Sequence, residues 1–269
     1  MVSRSPGSVT IAVARVNLGT SLREYLNAVS DTLKELSKSS TTAVIIPTPV
    51  NPLKDIITGR KRYSSYKNFL NVLLARLGNL SRRFSRTLIV SPIIRRAGNR
   101  VYLMNAIVPP LGNPIFKGKT VTSFEGLVSG ANDIDLITIE DINMCFIILN
   151  DLEVPEVFRV CKLKGGDAVV TIQPPAITYR DLNLTLLIAA VRARENNIPV
   201  IGAGGYMSEG IQQPSFVINR DGSVADSSNE LEPDIFEVEI KGSERRINIA
   251  LARKYLRLIR ELYPEQFAA

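Results

Sequence analysis

The stretch from Asn143 to Glu156, N-M-C-F-I-I-L-N-D-L-E-V-P-E, constrains the fold more than any other. Met144 to Leu149 is an unbroken apolar run of the length expected for one buried strand. It stops at Asn150-Asp151. Val154-Pro155-Glu156 then opens a new segment, with proline where the first turn of a helix accepts it. A strand that hands over so abruptly to a helix belongs to α/β architecture. Many α/β enzymes display a nucleophile at such a turn, but the residue at this strand end is Leu149, which has no such chemistry.

The rest of the chain alternates in the same way. Val9 to Val16 reads as an opening strand, and Ser21-Leu22-Arg23-Glu24 is a capping box at the head of a helix carrying Leu22, Leu26, Val29, Leu33 and Leu36. Ala43 to Ile46 is a second strand, followed by a Pro- and Gly-punctuated loop through Arg62 and a helix over Tyr66 to Leu80. Strands are predicted at Thr87–Val90, Val101–Val108, Pro114–Phe116, Leu136–Ile139 and Cys145–Leu149. Glu156 to Leu163 reads as a helix closed by Gly165-Gly166, and Ala168 to Ile172 as a strand. Asp181 is placed to cap a helix to about Asn196, with Leu184, Leu187, Ile188 and Val191 turned inward. Strands at Pro199–Ile201, Ser215–Ile218 and Ile235–Ile240 follow, then a closing helix over Ile247 to Leu262. There is no repeat, heptad pattern or low-complexity linker, so a single domain over residues 1–269 is expected, with its core at about 9–240 and helices outside mixed sheets.

Composition removes whole classes of mechanism. The chain has no histidine, which excludes Ser-His-Asp and Cys-His relays and imidazole metal sites. Two cysteines, Cys145 and Cys161, make neither a disulfide framework nor a zinc site, and their apolar or helical context predicts inert buried thiols. No apolar run approaches the ~20 residues of a membrane span. The N-terminal M-V-S-R-S-P-G-S lacks a signal-peptide core, so a cytoplasmic protein is expected. Gly118-Lys119-Thr120 mimics the end of a phosphate-binding loop, but position 113 is Asn where glycine is needed. Gly202-Ala203-Gly204-Gly205 follows a strand, but no helical stripe follows it, so a flexible connecting loop is expected there. No cofactor or metal is implied.

The net charge of +7 is uneven. Lys54 to Arg100 holds twelve Lys/Arg and one acid, which leaves the remainder at −4, and Asp226 to Glu239 holds six acids and no base. Either an anionic partner meets Arg60, Lys61, Arg62, Arg82, Arg83 and Arg86, or these are a solvated face with a complementary acidic segment in the same fold or a neighbouring subunit. The second alternative is preferred. Without a zinc module, helix-turn-helix signature or aromatic strand face, nucleic-acid binding is not expected.

The strand–Asn–Asp-x-x-Val-Pro-Glu stretch resembles the nitrilase (carbon–nitrogen hydrolase) superfamily, whose members read Cys-Tyr-Asp-x-x-Phe-Pro-Glu there. Ile45-Ile46-Pro47 is similar to the family strand that ends in Pro-Glu, and Tyr102-Leu103-Met104-Asn105-Ala106 to its Tyr-Asn-Ser-Ala segment. Lys119 falls where the family lysine stands. Arg192-Ala193-Arg194-Glu195-Asn196 and the hairpin Ser215 to Gly222 resemble two further landmarks in the same order. The resemblance covers Val9 to about Glu239. It implies a four-layer α-β-β-α sandwich of two mixed sheets, paired through its helical faces into a homodimer or higher homo-oligomer, with the closing helix reaching across.

The family uses Glu as base, Lys for the oxyanion and Cys as nucleophile. Carried over, these positions are Thr48, Lys119 and Leu149, with Glu125 matching a further glutamate and Asn150 following the nucleophile position. Asp151 and Glu156 are expected to hold structure. Leucine cannot attack a carbonyl, and threonine is no base near neutral pH. Cys145 lies about 13 Å back along the strand and does not replace the nucleophile. The expectation is a vestigial site in a binding or scaffold protein, with Lys119 paired to Glu125 in a pocket partly filled by Leu149. The alternative is an amide or nitrile hydrolase working through Lys119, Glu125 and a hydroxyl.

Overall fold

The computed structural model describes residues 7–60, 62–120, 129–131, 133–175, 182–242 and 257. In chain order the elements are β1 (Ser8–Arg15), α1 (Leu22–Glu35), β2 (Ala43–Pro47), α2 (Val50–Ile57), α3 (Tyr63–Phe84), β3 (Thr87–Ala97), β4 (Arg100–Val108), β5 (Ile115–Lys117), β6 (Leu136–Ile139) and β7 (Ile142–Ile148). The second half adds α4 (Pro155–Leu163), β8 (Ala168–Ile172), α5 (Leu182–Asn196), β9 (Val200–Ala203), β10 (Gly205–Tyr206), β11 (Gln212–Gln213), β12 (Ser215–Ile218), β13 (Val224–Ser228) and β14 (Asp234–Lys241).

Two six-stranded sheets result, ordered β14-β1-β2-β3-β4-β5 and β13-β12-β9-β8-β7-β6. In each, three parallel strands form the middle (β1, β2, β3 and β7, β8, β9) and antiparallel strands flank them. Central strands buried on both faces explain the near-continuous apolar runs of the sequence. Their side chains divide by alternation. Ile11, Val13 and Ile45 meet Phe146, Val170 and Ile201 between the sheets. Ala12, Val44 and Ile46 turn instead to α1, α2 and α3, packing with Val29, Leu53 and Leu73. Val169 and Val200 turn to α4 and α5, packing with Phe158 and Ala193. Three apolar layers between four structural layers make the α-β-β-α sandwich that the resemblance implied.

Several expectations need correction. Val50 to Ile57 is a helix, not a loop; Pro52 is tolerated because it sits in the first turn, where its missing N–H has no partner to lose. Helix α5 turns Leu184, Leu187 and Val191 outward, 47%, 64% and 49% exposed, and packs instead through Thr185, Ala189 and Ala193. Apolar residues on both faces had made its orientation ambiguous. The glycine-rich stretch after Ile201 is buried structure: a side chain at Gly202 would collide with the Phe216 ring, and one at Gly204 with the backbone oxygens of Gln213 and Pro214. Cys145 and Cys161 are joined in a disulfide between β7 and α4, so neither is a free thiol. The closing helix expected over 247–262 lies outside the described residues, apart from position 257.

Arg15 is a buried cation that the periodicity concealed. Its Nε and Nη2 donate to the Glu230 carbonyl at 2.9 and 2.6 Å, and its guanidinium lies over the Tyr206 ring at 5.7 Å. Burial lowers its pKa, with Asp234 opposing the shift. Among the described residues no helix is long and apolar enough to cross a membrane.

Candidate functional site

Strand β7 ends at Ile148 in extended backbone, and Leu149 then takes φ +54°. This left-handed conformation costs a bulky residue roughly 1–2 kcal/mol and normally falls to glycine. A 3-10 turn over Leu149–Glu153 follows, and α4 begins at Pro155. The strained junction is held from below. Gln173, fully buried at the end of β8, donates from Nε2 to the Leu149 carbonyl at 2.9 Å and to Thr171 Oγ1 at 2.9 Å. The Leu149 side chain is 2% exposed and belongs to the apolar cluster that holds Val50, Met104 and Met207. Asn150 is exposed, whereas Asp151 is buried and half-buried Glu156 lies in the first turn of α4.

Thr48 follows β2 directly. Its N–H donates to the Ser91 carbonyl at 2.8 Å, and its hydroxyl donates to the Pro92 carbonyl at 2.6 Å. It is 3% exposed, so the hydroxyl serves as a strand clamp rather than a free polar group. Tyr25 secures the same strand end from α1 by donating to the Pro47 carbonyl at 3.0 Å, and burial raises the pKa of that phenol strongly.

Lys119 is placed by Asn105. The Asn105 amide, fully buried on β4, donates to the carbonyls of Lys117 at 3.1 Å and Gly118 at 3.0 Å. Gly118 has φ +67°, and a side chain there would collide with the Asn105 amide and touch Phe146 of β7. The glycine is therefore the point where the end of β5 fits between the two sheets. Beyond it the Lys119 ammonium lies 4.6 Å above the Tyr102 ring. Lys119 is half-buried. Glu125, its expected partner, lies outside the described residues.

Thr48, just after β2, is thus tied to Ser91 and Pro92 of β3, and Gly118, next to Lys119, packs against Asn105 of β4 and Phe146 of β7. Pattern reading missed Gln173, Ser91 and Tyr102 as parts of this site. The Ser91 hydroxyl and the Asn105 and Gln173 amide oxygens are buried without a hydrogen-bond partner among the described residues. The motif Arg192 to Asn196 proves to be a brace. Arg192 donates to the Glu153 carbonyl of the turn at 3.4 Å, and Asn196 accepts from Arg159 of α4 at 2.7 Å.

The basic residues singled out from sequence are spread apart where the structure describes them. Arg60 and Arg62 precede α3, while Arg82 and Arg83 occupy its last turn, and 22 residues of helix separate them by about 30 Å. Arg86 is engaged elsewhere, donating to the Ser39 carbonyl at 2.6 Å. Lys61 lies outside the described residues. No group of three metal-ligating side chains occurs among the described residues.

Comparison with solved structures decides the fold. An amidase from Nesterenkonia sp. superposes with a TM-score of 0.72 over 95% of this chain and 98% of the amidase, at 15% identity. This chain has the nitrilase fold. A variant of that amidase described as from the nitrilase superfamily gives a TM-score of 0.70, also at 15% identity, over 95% of this chain and 99% of its own. Another variant carries the acetamide moiety of fluoroacetamide covalently on its active-site cysteine; it matches at TM-score 0.71 and 15% identity, again over 95% and 99% of the two chains. No protein-family model and no curated protein matches the sequence.

Proposed function

We propose that this nitrilase-fold chain has lost thiol-dependent carbon–nitrogen hydrolysis and works as a binding or scaffold protein. Leu149 carries the reading. It occupies a strand-to-helix turn with the left-handed backbone suited to displaying a side chain, yet presents a hydrocarbon packed into the core. Thr48 at the base position supports it, because its hydroxyl is committed to the Pro92 carbonyl. Both cysteines are in a disulfide, so no thiolate is available to form an acyl intermediate.

Ammonia release from a panel of amides and nitriles is the test. No turnover above buffer is expected, and turnover abolished by Lys119→Ala would establish the alternative, a hydrolase with rearranged residues. A positive control comes from Leu149→Cys. This variant has one free thiol, so fluoroacetamide is expected to add an acetamide mass there and leave the parent chain unmodified.

Homodimerisation is part of the same proposal. Leu184, Leu187 and Val191 recur at i, i+3 and i+7 on the outward face of α5, and an exposed apolar stripe of that spacing suits helix pairing between copies. A cytoplasmic location is retained as a proposal. It requires the Cys145–Cys161 bridge to survive a reducing environment, which is usual only in hyperthermophiles.

A further inference from the structure

Between Ile56 and Phe124 the sequence has thirteen Lys and Arg residues and not one Asp or Glu. This stretch builds α3 and the three strands β3, β4 and β5 at one edge of the first sheet. Most of its described cations are exposed, but Arg86, Arg95 and Lys119 are half-buried, and Arg86 is spent on the carbonyls of Leu36 and Ser39. The Arg95 guanidinium lies 4.0 Å above the Phe116 ring, and the Lys119 ammonium 4.6 Å above the Tyr102 ring.

The two pairs are neighbours. Arg95 and Tyr102 face each other directly across β3 and β4, and directly paired residues share a sheet face. Phe116 pairs with Ala106, four residues along β4 from Tyr102 and therefore on that same face. Two cations and two aromatic rings thus occupy one patch of three adjacent strands. Neither cation forms an ion pair among the described residues. The carboxylate of Asp135 is close to the base of Lys119, where it accepts the Gly118 N–H at 3.1 Å, but it is an exposed group already engaged there.

Two half-buried like charges repel, and aromatic faces offset only part of the cost. Ring stacking also leaves functional groups free. Arg95 uses its flat face on Phe116, so its in-plane N–H donors remain available for two-point recognition of a carboxylate or phosphate. Lys119 adds a compact charge with three donors. The surrounding acid-free stretch supplies a field of the sign that draws an anion in.

We propose that Arg95 and Lys119, seated on Phe116 and Tyr102, bind a small molecule carrying a carboxylate or phosphate group. The proposal rests on the non-hydrolytic reading above and adds the class of ligand to it. It makes the site a receptor for charge, where an amidase site receives a neutral amide.

The test is titration of the full chain at low ionic strength with acetate, inorganic phosphate and acetamide, followed by calorimetry and ligand-observed NMR. Acetamide has nearly the shape of acetate without its charge. The expected result is saturable binding of acetate or phosphate at one per chain, with acetamide failing to compete. Whichever anion binds more tightly distinguishes a carboxylate ligand from a phosphate one. Arg95→Gln and Lys119→Gln are each expected to weaken binding about tenfold or more. Arg82→Gln, on the exposed end of α3, is expected to change it by less than about twofold. Matching thermal midpoints establish that the variants fold. Acetamide displacing acetate on equal terms, no saturable anion binding, or anion binding indifferent to both substitutions would overturn the proposal. Amide turnover in the separate ammonia assay bears on the hydrolytic reading alone, so failure of one is not mistaken for failure of the other.

Discussion

Reduction of the Cys145–Cys161 bridge is expected to lower the stability of this protein by an amount that follows from its position in the chain. The bridge closes a loop with a sequence separation of 16, and a cross-link of that span removes unfolded-state entropy worth about 3 kcal/mol at room temperature. Unfolding entropy near the melting point is about 2.1 cal/mol/K per residue, or roughly 0.6 kcal/mol/K for a chain of 269 residues. The melting midpoint should therefore fall by about 5 °C. Both cysteines are fully buried and Gly166 closes directly on Cys161, so the bridge sits in tight native packing. Calorimetry of the parent chain with and without a phosphine reductant measures the shift, and Cys145→Ala/Cys161→Ala checks it without a reductant. Amide hydrogen exchange adds a local readout: protection should fall first between Leu149 and Val154, inside the covalent loop. Two thiols titratable in the denatured but unreduced chain, or a midpoint insensitive to reductant, would refute the reasoning.

Three further outcomes are expected. Leu149→Ala should cost about 2–5 kcal/mol for the lost burial. Leu149→Gly should be no worse, because relief of the φ +54° backbone, about 1–2 kcal/mol, offsets the ordinary glycine penalty of roughly 0.5–1 kcal/mol; urea denaturation placing glycine clearly below alanine contradicts a strained junction. Leu187→Glu, on the exposed stripe of α5, should convert a dimer to a folded monomer in light scattering, and a parent chain that is already monomeric removes the basis for that interface. Glu237 accepts hydrogen bonds from the Ser39 and Thr41 hydroxyls, which hold its pKa below the usual glutamate value. Its contribution is therefore present above the ordinary carboxylate range and lost as pH falls through the depressed value. The stability gap between parent and Glu237→Gln should close in acid, and a gap that widens there reverses the assigned sign.

What the sequence disclosed was whatever leaves a local trace. Ser21 and Glu24 announced α1 and form both halves of the capping box. The apolar runs located the central strands because those strands are buried on both faces. Order and spacing of weak motifs gave the architecture, and Thr48, Lys119 and Leu149 each directly follow, or lie within two residues of, the end of a strand. Pattern failed where two signals compete. Pro52 reads as a breaker unless its place in a first turn is known, and α5 is apolar on both sides, so periodicity could not say which side faces the sheet. The disulfide was missed because a spacing of 16 residues carries no signature; only the placement of α4 over β7 brings the sulfurs together. Gln173, Asn105 and Tyr102 act through carbonyls and charges distant in sequence, which composition and period do not encode.

The left-handed backbone at Leu149 separates the shape of this junction from the chemistry of the side chain it carries. Side-chain chemistry can be exchanged by one codon, but the bend that presents it is fixed jointly by Gln173, the start of α4 and the braces from α5. The shape of the junction is therefore set apart from the side chain at 149. A new residue introduced at 149 is expected to start from the same backbone bend. That makes this position a prepared mount, on which the separate worth of a nucleophile can be measured by adding one to a frame that lacks it.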